Sequence, residues 1–134
     1  MAFHNLLGSK GEDMASDFLK KKGYAILERN WRYKKLEVDI IASNTKEIVF
    51  VEVKTRSSDC LLRPEEAVDL DKQCNLTVAA NAYILQKHIS LEPRFDIIAI
   101  VIDKDKEPAL THFENAFPPM SRSWEIKSHH RRFS

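Results

Sequence analysis

The sequence predicts an α/β fold, and three features predict it. Two apolar strands carrying Asp39, Glu52 and Lys54 read as a hairpin. A helix with an apolar stripe precedes them. The apolar run from Phe95 to Ile102 has the pattern of a strand covered on both faces.

The elements follow in order. Residues 8–19 read as a helix with an apolar stripe at Leu7, Met14, Ala15, Phe18 and Leu19. Gly8 and Gly11 leave room for a close neighbour. At ~100° per residue, Glu12 falls beside Leu19 and Gly8, at the border of that stripe. It can reach the acids of the hairpin, or it can snorkel at the surface. Gly23 suits a helix cap, and Tyr24 to Trp31 form the first strand. Residues 36–42 and 48–54 are β-branched and apolar, with S43-N44-T45-K46 as the turn between them. Pro64 suits the first turn of a second helix, with Glu65, Glu66 and Asp69 near its positive end. That helix is expected to run to about His88, with Ala67, Leu70, Cys74, Val78, Ala82 and Leu85 on one face. Ala109 to Phe113 reads as a short edge strand. From Pro118 the patterning fails, which divides the chain into a single domain, 1–117, and an irregular basic C-terminal tail, 118–134.

Side chains alternate faces along a strand, so Glu52 and Lys54 point the same way. With an even number of loop residues, Asp39 lies opposite or diagonal to Glu52 on that face. Charges on otherwise apolar strands are costly unless paired or bound to a metal. Two carboxylates suit a hard divalent cation such as Mg²⁺ or Mn²⁺, which keeps several waters and takes up substrate phosphate. The chemistry that fits is metal-assisted attack on a phosphodiester, with Lys54 orienting the water or stabilising charge. A main-chain carbonyl near Val53 is expected to complete the site. The alternative is an ordinary salt-bridged hairpin.

Length and composition agree with one compact domain. At 134 residues and 15.5 kDa the chain can bury a core without staples. The longest apolar run is far too short to span a bilayer. The opening M-A-F-H-N lacks the charged-then-apolar order of a secretory signal, so the expected location is cytoplasmic. Cys60 and Cys74 are then reduced thiols, and two cysteines without partners make no zinc site. The histidines are scattered and none reads as a catalytic base.

A net charge of +1 is small for a protein that binds nucleic acid. The distribution matters more than the sum. Arg32, Lys34, Lys35 and Arg56 flank the acidic hairpin and could hold phosphates beside a metal, or they are solvated cations. Trp31 and Tyr33 could stack on bases, although Trp31 also fits the core.

The series G8-S9-K10-G11-E12-D13-M14-A15, N30-W31-R32, E37-V38-D39-I40-I41-A42, F50-V51-E52-V53-K54-T55-R56, E66-A67-V68-D69, K72 and R94-F95-D96 resembles the YraN-type family. That bacterial group belongs to the PD-(D/E)xK nuclease superfamily, near the archaeal Holliday-junction resolvases. The resemblance covers residues 3–117. It implies a restriction-endonuclease-like fold: a mixed central sheet flanked by helices, in the order αβββαβ. It matches Asp39, Glu52 and Lys54 to the nuclease triad, Glu12 to a helix-1 glutamate and Lys72 to a lysine of the following helix. It further implies DNA as partner and a homodimer. Leu36 stands where the family usually has Gly, and Val38 where the superfamily has Pro. Two functions follow from these residues: a Mg²⁺-dependent endonuclease, or a silent nuclease-fold module that binds nucleic acid or protein.

Overall fold

The first helix places a glycine, Gly11, against strand residue Thr55 of the sheet. The computed structural model describes residues 2–57 and 68–119, with side chains from residue 9 onward. Helix α1 spans Ala2–Lys21, six residues earlier at its start than the apolar stripe suggested. It ends in a Schellman turn: Tyr24 N–H reaches the Leu19 carbonyl, Gly23 N–H reaches that of Lys20, and Gly23 takes φ +102°.

Three antiparallel strands follow: β1 (Ala25–Tyr33), β2 (Leu36–Ser43) and β3 (Glu47–Ser57). Helix α2 (Leu70–Lys87) then crosses over to β4 (Glu92–Ile102), which lies parallel to β3. The edge strand β5 is Ala109–Phe113, as expected, and runs antiparallel to β4. Spatial order equals chain order, β1-β2-β3-β4-β5. The sheet is mixed and helices cover both of its faces, which agrees with the fold the resemblance implies.

The two faces carry separate cores. Ala15 and Leu19 of α1 pack with Ile40, Ala42, Val49, Val51, Ile98 and Ile100. Leu76, Ala79, Ala80 and Tyr83 of α2 pack with Ile41, Ile48, Phe50, Phe95 and Ile97. Strands β2 to β4 are therefore buried on both sides, which explains their long apolar runs.

Helix α2 departs from expectation in two ways. It begins at Leu70, and Asp69 precedes it as the N-cap, accepting from Lys72 N–H at 2.9 Å. Pro64, Glu65 and Glu66 lie outside the described residues, as do Cys60 and the tail from residue 120. The helix is also turned. Leu70, Val78 and Leu85, placed on the buried face by their spacing, are 59%, 41% and 75% exposed. The buried face is Leu76, Thr77, Ala79, Ala80 and Tyr83. Both sets satisfy the helical period. The small pair Ala79-Ala80 lets the helix approach the sheet closely, and Tyr83 fills the remaining space against Trp31 and Phe50.

The end of the sheet where β3 and β4 begin is fastened by ions. Arg94 forks onto Asp96, with Nε to Oδ1 at 2.9 Å and Nη2 to Oδ2 at 2.8 Å, and its Nη1 reaches Glu47 at 2.7 Å. His112 Nε2 donates to Asp96 at 2.7 Å, and its Nδ1 accepts from Lys22. Asn115 N–H supplies a fourth donor at 2.9 Å. Burial alone would raise the Asp96 pKa, but these bonds overcome it and hold it below the usual carboxylate value.

Gly11 is buried against β3, where an added Cβ would overlap the Thr55 hydroxyl. In an open helix Gly→Ala is stabilising by up to about 1 kcal/mol. Here Gly11→Ala is expected to lower the melting temperature, and Thr55→Ala in the same chain to restore most of the loss. Thermal unfolding of the three variants checks this; a Gly11→Ala protein more stable than wild type contradicts the packing described.

Candidate functional site

Asp39 sits where the pleat of two strands slips together. Val38 and Ile41 both pack on the α2 side, whereas Ile40 and Ala42 pack on the α1 side. Strict alternation would separate Val38 from Ile41, so β2 slips once at Asp39. The neighbouring strand slips with it. The pairs Arg29↔Ile40 and Trp31↔Val38 put Asn30 across from Asp39, and Asn30 has φ +52°. Left-handed backbone in mid-strand is strained for most residues and least so for Asn.

On its other side, β2 parts from β3. Their ladder ends at Ile40↔Val51, and continuing it by one step sets Asp39 beside Glu52. In place of a ladder bond, Asp39 Oδ2 accepts from Val53 N–H at 2.8 Å. The Val53 main chain thus enters the site through its N–H. Two acids are brought together in the gap, as the hairpin pattern predicted.

Their electrostatics are unfavourable. Burial and then the Glu52 charge push the Asp39 pKa up from 3.8 to about 8, against the opposing pull of the Val53 bond and of Lys72. Glu52 is itself buried. Its Oε2 receives Lys54 Nζ at 3.1 Å and Lys72 Nζ at 3.6 Å. Its Oε1 is buried with no hydrogen-bond partner among the described residues. Leaving such an oxygen unmade is expensive, and it is the position at which a cation would be accommodated.

Glu12 approaches from α1. It is bonded by the Asn30 side chain and lies 3.9 Å from Arg29, and its charge adds to the rise at Asp39. Burial raises its own pKa. It therefore borders the cluster rather than open solvent. Among the described residues, however, no three His, Cys, Asp or Glu side chains converge closely enough to hold an ion. The protein donors at the centre are Asp39 and Glu52. Two carboxylates are a normal complement for Mg²⁺, which keeps water in its other positions.

The basic residues occupy the same end of the sheet. Lys34 and Lys35 form the exposed β1–β2 turn, with Lys34 Nζ 5.3 Å from the Tyr33 ring. Arg32 lies 3.5 Å from Glu37. Arg56, near the end of β3, donates to the Thr55 carbonyl at 3.1 Å. Lys72 belongs to the acid cluster itself. Trp31 stacks on Tyr33 and meets the edge of Tyr83, so its ring is engaged by the protein. Asn30 is the residue whose role the sequence did not disclose. Its role depends on a backbone angle, and nothing in N-W-R announces one.

The model of Uncharacterised protein family UPF0102 matches residues 11–100. The chain belongs to this family. The matched span contains Glu12, Asn30, Asp39, Glu52, Lys54 and Lys72. A UPF0102 protein of Flavobacterium psychrophilum is 49% identical over 117 residues, which is 87% of this chain and 98% of that one. One of Porphyromonas gingivalis is 41% identical over 133 residues, 98% of each chain. Among solved structures, Pyrococcus furiosus SfsA in complex with Ca²⁺ aligns at a TM-score of 0.39 and 14% identity, over 83% of this chain and 63% of that one. That likeness is too distant to bear on the site. No helix among the described residues is long and apolar enough to cross a membrane.

The raised Asp39 pKa sets a pH dependence. A carboxyl that is harder to ionise folded than unfolded destabilises the fold as pH rises from about 4 towards 8. Asp39→Asn removes that penalty. The variant is expected to be more stable than wild type at pH 8, with the advantage shrinking as pH falls towards 4. Urea unfolding across this range measures it. A variant less stable than wild type at pH 8 would show that Asp39 is not strained by burial and Glu52.

Proposed function

We propose that the protein is a divalent-cation-dependent endonuclease that hydrolyses phosphodiester bonds in DNA. The observation that carries this reading is the buried Glu52 Oε1, without a hydrogen-bond partner among the described residues, on a carboxyl held near a second acid. Such a pair is a poor structural element and a good cation site. Asp39 and Glu52 would hold Mg²⁺ or Mn²⁺. A bound ion supplies Lewis acidity and a water of lowered pKa.

The chain's own residues do the rest. The Val53 N–H fixes the rotamer of Asp39. Asn30 and Glu12 form the wall on the α1 side, where Glu12 orients neighbouring groups or ligates a second ion. Lys54 touches Glu52 without competing for its buried oxygen, so its ammonium is placed to orient water or to stabilise charge on the phosphoryl group. Lys72 stands in the first turn of α2 on the same carboxylate. Arg32, Lys34, Lys35 and Arg56 would hold flanking phosphates in register.

One observation favours a second reading. Both lysines already pair with Glu52, so the cluster is partly neutralised without any ion. A catalytically silent module binding nucleic acid or a protein would tolerate that state.

The two readings separate on a panel of labelled linear, branched and single-stranded DNA and RNA, assayed with Mg²⁺ and with Mn²⁺. Cleavage by the wild type is expected. Lys54→Ala is expected to lose on the order of a hundredfold or more in rate, while the thermal shift produced by Mn²⁺ persists. Asp39→Asn is expected to lose both. Cleavage by Lys54→Ala at the wild-type rate assigns the activity to another site or a contaminant. Binding without cleavage across the panel establishes the silent module.

A further inference from the structure

The acid cluster lies on a row that continues across the sheet. Glu52 is in register with Ile97 of β4, and Ile97 with Phe113 of β5. Register neighbours share a face, and Ile97 and Phe113 both belong to the α2-side core. Beyond Glu52, that row becomes the floor of a cleft of about 470 Å³. Val68 and Gln73 form one wall, and Glu114 and Phe117 another. Gln73 follows Lys72, whose ammonium is 3.6 Å from Glu52. One turn of α2 therefore borders both the acid cluster and the cleft.

We propose that this cleft takes an unpaired nucleobase of the substrate whose phosphate lies at Asp39 and Glu52. The proposal rests on the endonuclease reading and deepens it. The floor is apolar and aromatic: Phe113 is half-buried, and Phe117 is held by stacking on Phe95 at 5.3 Å. Gln73 is anchored through Nε2 to the Val68 carbonyl at 3.1 Å, while the Glu114 carboxylate is turned to Arg94 at 3.3 Å, Lys22 at 3.6 Å and the Tyr24 hydroxyl, on the α1 side of the sheet. A cleft that sets an aromatic side chain beside an anchored amide suits a small ligand with a flat face and a polar edge. A nucleobase offers a π face to Phe113 and a polar edge to the Gln73 amide.

A paired base is stacked and cannot enter without leaving the helix. The substrate class is therefore DNA with unpaired nucleotides, such as single strands, flaps or the opened centre of a branch. A fully paired duplex is a poor substrate.

Ala116 lines the cleft at an exposed position, and Ala116→Trp fills it from the lip. Binding is measured by fluorescence anisotropy on three labelled 20-residue probes, with Ca²⁺ in place of Mg²⁺ so that the acids are occupied by a cation. They are a single-stranded oligonucleotide, its paired duplex, and an abasic deoxyribose-phosphate chain, and cleavage with Mg²⁺ is scored separately. The wild type is expected to prefer the base-bearing single strand over the abasic chain by about tenfold, the scale of one stacked base. Ala116→Trp is expected to lose that preference and to keep its duplex affinity. If that variant fails to fold, Gln73→Ala reads the same preference. Equal affinity of the wild type for base-bearing and abasic chains overturns the proposal, as does an unchanged preference in the folded variant. Cleavage without any effect of the cleft variant overturns this inference alone. A cleft effect without cleavage overturns the hydrolase reading alone. Failure to bind any of the probes overturns both.

Discussion

Two carboxyl groups held side by side where two strands part are the constraint on which this structure turns. Asp39 and Glu52 repel, and both are largely withdrawn from water. A rise in pKa from 3.8 to about 8 corresponds to several kcal/mol of penalty on the ionised form. The fold holds the arrangement by surrounding it with well-packed elements. Both faces of β2 to β4 are covered, α1 is drawn onto β3 through Gly11, and α2 brings Lys72 to the second carboxylate. Two local departures from regular strand, Asn30 and the pleat slip at Asp39, lie there as well.

The opposite face of the sheet, one register step from Glu52, shows that buried acid need not be strained in this protein. Asp96 is fully buried, yet Arg94, His112 and Asn115 supply it with four donors, and its pKa is lowered. Satisfied in this way, it joins β4 to β5 and to the end of α1 as a structural tie. Asp39 has one backbone donor, and Glu52 keeps one buried oxygen with none among the described residues. The same kind of side chain is a rivet on one face and an open valence on the other. That difference distinguishes a site from scaffold more sharply than charge or burial alone.

The hairpin was legible because its signal is local. An alternating strand, a polar turn and a second strand fix which residues face each other, so Asp39 beside Glu52 and Lys54 on its face could be read directly. The edge strand Ala109–Phe113 was legible for the same reason. Helix α2 was not, because two faces of it satisfy the helical period. The choice fell to the small pair Ala79-Ala80 packing closely on a sheet that the helix's own sequence does not describe. Glu12 was placed at a border by periodicity, but its bond from Asn30 depends on a left-handed residue in another element. The Val53 main chain was expected to contribute to the site, and the structure bonds its N–H to Asp39, on the edge of β3 that its carbonyl shares.

The central claim is that the open Glu52 oxygen and Asp39 form a cation site. Anomalous scattering from a crystal equilibrated with Mn²⁺ tests it most directly. The account predicts a manganese peak bonded to both Asp39 and Glu52, with Lys54 left beside it and unligated, and no such peak in Asp39→Asn. A peak elsewhere, or none at a Mn²⁺ concentration that supports cleavage, would contradict it.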